Sequence, residues 1–145
     1  MKPDDIECNF GMVDNTTPLK RIMTVVGVDS MAARLLVWKK LKGKVPVLID
    51  GRIGGQVMRV FTVRNDYSSM EYYESTLYTD EDAVDLPCAE RNVADVAFFV
   101  AGIIGRAARM FISHNRIIGE MAFDARTYFS YSTNDEEVLF AGKED

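Results

Sequence analysis

The side chains able to do chemistry sit where apolar runs end. Asp29 follows residues 21–28 (RIMTVVGV), a β-branched, nearly all-apolar stretch that reads as a strand buried on both faces. An acid at the carboxyl end of such a strand stands where open α/β sheets bind ligands. Asp29 and the Ser30 after it are also good N-caps for a following helix, and both readings are open at this point. Arg34, one helical turn further on, could pair with Asp29, reach a phosphate, or lie exposed on the helix. Asp50, Gly51 and Arg52 close a second apolar run, residues 45–49. They would border the same cleft, with glycine letting a ligand or peptide tail approach the backbone; a plain hairpin-like turn is the other reading. Cys88 follows Pro87 just ahead of a long apolar segment. A helix N-terminus and a nearby Arg91 would favour its thiolate, against an ordinary structural cysteine. His114, the single histidine, falls near the end of that segment and suits the dipole of a helix C-terminus. No Cys–His or Ser–His–Asp constellation can be assembled locally.

These residues need elements to hold them. Residues 30–43 (SMAARLLVWKKLKG) place Met31, Leu35 and Trp38 on one helical face and Lys39, Lys40 and Lys42 off it, with Gly43 as a stop. Strand, sharp turn, helix and the strand at 45–49 make a βαβ unit. A glycine-rich turn over residues 50–55 leads to residues 56–63, whose alternation puts Val57, Arg59 and Phe61 on one face and Met58, Val60 and Thr62 on the other. Residues 65–69 read as loop, 72–78 as extended chain and 79–87 as an acidic exposed stretch. A long helix is predicted over residues 91–113, with Ala94, Phe98, Ala101 and Gly105 recurring at helical spacing. Its phenylalanines and small residues read as core or dimer contact. A last strand covers 117–123. The organisation is an irregular segment over 1–20, one domain over 21–131 and an acidic tail over 132–145.

Composition narrows the function classes. A net charge of -5 argues against nucleic-acid binding, which needs clustered cations. The basic residues that do cluster, Arg34, Lys39, Lys40, Lys42 and Lys44, read as a solvated helix face. Two distant cysteines, Cys8 and Cys88, make neither a disulfide framework nor a zinc site, and point to a reduced, cytoplasmic setting. The acidic opening MKPDDIECNF lacks the apolar core of a signal peptide. The apolar run at 96–105 is short of the ~20 residues of a membrane span, so no membrane partner is expected and the run reads as a buried helix segment.

The order of these motifs resembles the rear half of the ThiF/MoeB-type adenylyltransferases, the ubiquitin-activating-enzyme-like family. Residues 28–34 (VDSMAAR) are similar to the family's strand-to-helix corner, with an Arg five positions after the Asp. Residues 47–52 (VLIDGR) and then Gly55-Gln56-Val57 resemble the next strand, its glycine turn and its G-Q-V strand. Residues 73–78, Pro87-Cys88 and the helix that follows match the crossover region and late helix, and Phe123-Asp124-Ala125-Arg126 matches the closing strand. The similarity spans roughly residues 20–130. It implies an α/β, Rossmann-like fold with a mixed parallel and antiparallel sheet and flanking helices. It also implies ATP-dependent adenylation of the C-terminal glycine of a ubiquitin-like or sulfur-carrier protein. Asp29 would then hold Mg²⁺ on the ATP phosphates, Arg34, Asp50, Gly51 and Arg52 would wall the nucleotide cleft, and Cys88 would be the thioester cysteine that some relatives use. The family's glycine-rich phosphate turn and its helix do not precede Arg21, and its paired C-x-x-C zinc ligands are missing. The expectation is therefore a chain that binds ATP and Mg²⁺ only when a complementing front-half chain completes it, holds no zinc, and could form a homodimer. A non-catalytic interaction or dimerisation domain, or a truncated inactive remnant of the fold, is the alternative.

Overall fold

The computed structural model describes residues 23–79, 94–117 and 119–124, and the backbone of 129–133. The irregular segment at 1–20, Cys88 and nearly all of the acidic tail lie outside the described residues. The elements are β1 (Met23–Val26), α1 (Met31–Leu41), β2 (Val47–Gly54), β3 (Val57–Arg64), α2 (Tyr67–Ser75), α3 (Ala94–His114), β4 (Glu120–Asp124) and β5 (Phe129–Thr133). They form a mixed α/β fold around one five-stranded sheet in the order β1-β2-β3-β4-β5. β1 and β2 are parallel, joined by α1, with Val26 opposite Asp50. The remaining neighbours are antiparallel.

Strand alternation sends two cores to opposite faces of the sheet. Leu48, Phe61 and Val63 point to one face, where they pack with Val37, Trp38 and Leu41 of α1 and Tyr73 of α2. Val47, Ile49, Met58 and Val60 point to the other, under Val96, Val100 and Ala107 of α3. β2 is covered on both sides, which is why its first residues form an unbroken apolar run. Each such side chain taken from water contributes roughly 1.5–3 kcal/mol. Ser30, not Asp29, caps α1, its hydroxyl accepting from the Ala33 amide at 3.2 Å. Gly43 just beyond the helix has φ +71°, as a left-handed stop requires.

Four expectations need correction. The glycine stretch at 50–54 is strand, not turn: β2 runs through Gly54, and the hairpin turns at Gly55 (φ +59°) and Gln56. Residues 67–75 form a helix where loop and extended chain were expected. Tyr and Ser are indifferent helix formers, but Asp66 caps the turn by accepting from the Ser69 amide, and burial of Tyr73 holds the segment. A strand, β5, follows β4 at 129–133, where alternating Phe, Tyr and Thr have β-propensity that the short run concealed. The face of α3 carrying Ala94, Phe98, Ala101 and Gly105 is turned to solvent, and Val96, Val100 and Ala107 meet the sheet instead. α3 is also longer than the apolar run at its centre. Among the described residues it is the one helix long and apolar enough, by length and composition, to cross a membrane.

Candidate functional site

The parallel pair β1 and β2 brings its two carboxyl ends together, and four polar side chains meet there. Asp50 is fully buried and acts as the hub. Its Oδ1 accepts from Arg34 Nε at 2.9 Å, and its Oδ2 accepts from Arg52 Nε at 2.7 Å and from the Tyr73 hydroxyl at 3.0 Å. Arg34 reaches there because the helical period turns position 34 of α1 toward the sheet rather than toward Asp29. It also donates to the carbonyls of Val28 at 2.9 Å and Gly51 at 3.3 Å. One guanidinium thus ties the last turn of chain before Asp29 to the neighbouring strand. The fork geometry of arginine suits this bridging, and lysine could not reproduce it. Arg52 donates to the Thr76 carbonyl at 2.9 Å and lies over the Phe61 ring, 4.3 Å from its centre, and 5.1 Å from that of Tyr73. Burial, reinforced by the Asp50 charge, pushes the Tyr73 phenol well above its ordinary range, so it stays a neutral donor.

Two positive charges around one buried carboxylate make this a cross-brace rather than an open pocket. Asp29, by contrast, is exposed on the bend between β1 and α1. Gly51 allows a close approach, but to α3: a Cβ there would come within 2.8 Å of Ile104 Cδ1 and 3.0 Å of Val100 Cγ1. Of the residues that the sequence points to, Arg34, Asp50 and Arg52 therefore converge on each other. Gly51 seats a helix, and Asp29 alone faces solvent, beyond the carboxyl end of β1. His114 is exposed in the last turn of α3. Among the described residues no three of His, Cys, Asp and Glu gather as a metal site. A recess of about 10 Å³ lined by Trp38, Leu41, Leu48, Val63 and Met70 has room for little more than a water and sits at the other end of β2.

A second polar group escaped the sequence reading. Glu120 is fully buried at the start of β4, accepting from Arg59 Nε at 2.6 Å and from the Tyr72 hydroxyl. The available signal was Arg59 itself, a charge on the same strand face as Phe61, which calls for an acid across the sheet. Trp38 Nε1 and Lys42 Nζ both donate to Glu74 Oε1, at 2.9 and 2.6 Å, joining α1 to α2 and holding the Glu74 carboxyl below its usual range. No family model, curated protein or solved structure matches the chain.

Proposed function

We propose that this chain supplies the rear half of a ThiF-type, Rossmann-like adenylyltransferase, joined along β1 by a nucleotide-binding front half. The observation that carries the reading is the state of β1. It is the outermost strand of the described sheet on its parallel side, Val25 on it is 48% exposed, and the exposed Asp29 stands beyond its carboxyl end. An exposed edge strand presents unpaired backbone N–H and C=O groups on which a further strand can build. The crevice at the carboxyl ends of parallel strands is where α/β proteins take nucleotides.

In this reading Asp29 is the group that touches the ligand. A single exposed carboxylate fits Mg²⁺ shared with phosphates, because that ion keeps most of its shell as water and phosphate oxygen. When bound, the ion would offset negative charge as pyrophosphate leaves the adenylate. Arg34, Asp50 and Arg52 act as positioning residues. They fix the Val28 carbonyl and so the bend from which Asp29 projects. The acceptor is the C-terminal glycine of a ubiquitin-like or sulfur-carrier protein, and a role for Cys88 in thioester chemistry belongs to the same proposal.

The test combines the chain with the nucleotide-binding half of a ThiF-type enzyme and follows carrier-dependent ATP–pyrophosphate exchange. Exchange should appear on mixing and fall by about 10² in Asp29→Asn, the loss typical of removing one electrostatic stabiliser. The melting temperature should stay within ~2 °C, since Asp29 is exposed and does not cap α1. Failure of exchange to appear with any carrier, or an unchanged rate in Asp29→Asn, overturns the assignment.

A further inference from the structure

We infer that the outer end of the cross-brace is a carboxylate-binding site, with Arg52 Nη2 as its buried donor and Arg59 as a second cation across the β2–β3 hairpin. Two observations at Arg52 carry this. Its Nη2 is buried and has no hydrogen-bond partner among the described residues. The guanidinium that bears it belongs to a side chain only 11% exposed, and it shares the single charge of Asp50 with Arg34, 6% exposed. A buried donor without an acceptor is costly, and a buried charge with half a counter-charge is costlier still. A water on Nη2 would satisfy the nitrogen and leave the charge unanswered. An anion answers both.

The planar guanidinium places all its donors along its edge. Rings lie against the group, Phe61 at 4.3 Å and Tyr73 at 5.1 Å between centres. Along the edge, Nε is used by Asp50 Oδ2 and Nη1 by the Thr76 carbonyl. That leaves Nη2 to meet a ligand. Arg59 stands directly opposite Arg52 across the two strands, and its guanidinium lies 4.9 Å from the centre of the same Phe61 ring. Like charges opposite each other in a sheet repel, and an anion between them reverses the sign of that interaction. Glu120 holds Arg59 in place at 2.6 Å, while the Arg59 side chain is 39% exposed and so marks the approach from solvent. Charge chooses the ligand class. Glu120 matches Arg59, and Asp50 matches only one of Arg34 and Arg52, so the corner takes one negative charge. A carboxylate brings one; a phosphate dianion would bury a surplus beside Asp50 and Glu120. Asp29 has no part in this site, so the inference does not rest on the enzyme reading.

The experiment titrates the full chain with sodium acetate at constant ionic strength, against a sodium chloride control, and follows both the melting temperature and the arginine side-chain NMR signals. For a ligand as small as acetate a Kd of about 1 mM is expected. Acetate at about 100 times that concentration should then raise the melting temperature by roughly 8 °C over the control. The Arg52 signals of the unaltered chain should move with the same Kd, a readout that needs no variant to fold. Arg52→Lys keeps a cation for Asp50 but has no second nitrogen, and should weaken acetate binding by about 10-fold or more. Arg59→Lys keeps the charge opposite and should weaken it by only about 3-fold. Trialanine with a free C-terminus and its C-terminal amide separate the two sources of a carboxylate. Tighter binding of the peptide acid than of acetate makes the ligand a chain terminus, and binding no tighter makes it a free acid; the amide should not bind. No acetate response in either readout, an undiminished response in Arg52→Lys, or tighter binding of inorganic phosphate than of acetate would each overturn the proposal. So would a response seen only after Asp80, Glu81, Asp82 and Asp85 are changed to their amides, which would make that stretch of the chain itself the occupant.

Discussion

Replacing Asp50 by Asn is the sharpest test of the cross-brace, because it keeps the shape and removes the charge. The carboxylate is fully buried and accepts three bonds, from Arg34, Arg52 and Tyr73. The Asn amide offers one acceptor oxygen, and its nitrogen would face a guanidinium, donor against donor. Two arginine side chains only 6% and 11% exposed would be left with no counter-charge. Removing one partner from a buried ion pair typically costs about 3–5 kcal/mol. Arg34 would keep its bonds to the Val28 and Gly51 carbonyls, and Arg52 its bond to Thr76 and its place over the Phe61 ring. The lower end, roughly 3 kcal/mol, is therefore the expected loss.

For a chain of this length ~1 kcal/mol moves the melting temperature by about 3 °C, so Asp50→Asn should lower it by roughly 10 °C. Thermal and urea unfolding at neutral pH are the assays, with the urea m-value checked for constancy. A replacement of the whole group by apolar side chains, Asp50→Leu with Arg34→Met, Arg52→Met and Tyr73→Phe, should recover much of the loss, since burying the ions was itself costly. If Asp50→Asn melts within ~3 °C of the parent, Asp50 does not hold the two strands and the carboxylate is available for something else.

Two further perturbations probe the same corner of the fold. Below pH about 10 the Tyr73 phenol is protonated in both folded and unfolded chains, so its contribution is complete there. Above that pH the unfolded chain loses a proton that the folded chain retains, and stability should fall as pH rises. Tyr73→Phe should flatten that alkaline decline in urea midpoint relative to the parent, and cost about 1.5–3 kcal/mol at neutral pH through the lost bond to Asp50; an equally steep decline in the variant would refute the assignment. Gly51→Ala should destabilise by about 1–3 kcal/mol by driving a Cβ into Ile104 and Val100, and the double change Gly51→Ala with Ile104→Val, which shortens the closest atom away, should recover part of it. Equal stability of Gly51→Ala and the parent would show that α3 shifts freely on the sheet.

Local pattern in this chain specifies part of the fold and leaves the rest to tertiary contacts. The βαβ unit, a helix cap at Asp29 or Ser30, the stop at Gly43 and the two faces of β3 follow from periodicity and end chemistry, which act within a few residues; only the structure chooses Ser30 as the cap. The helix at 67–75 was hidden because its stabilisation is tertiary: Tyr73 is buried against Trp38 and Phe61, with ring centres 4.8 and 5.7 Å away. A run of Tyr, Ser and Glu carries no such information by itself. The orientation of α3 was hidden for the opposite reason. With apolar or small residues almost all round, several faces satisfy a helical period equally well, and only the strands beneath decide which one is buried.

The candidate site shows the same division between residue type and partner. Asp29, Arg34, Asp50 and Arg52 were identifiable as a group, because charges at the ends of apolar strands are rare enough to need a reason. Which of them faces a ligand and which faces another residue depends on where α1 turns position 34. Had Arg34 stood one position later, helical geometry would have rotated it by about 100° away from Asp50, leaving a buried carboxylate with one arginine fewer. Because it stands where it does, the charge balance inside the sheet is met by Asp50, and Asp29 is spared that task. An acid that neither caps its helix nor joins the internal network, placed at the carboxyl end of an edge parallel strand, has solvent or a ligand as its remaining partners. Asp50 thereby holds the strands together, and Asp29 stays outside that network.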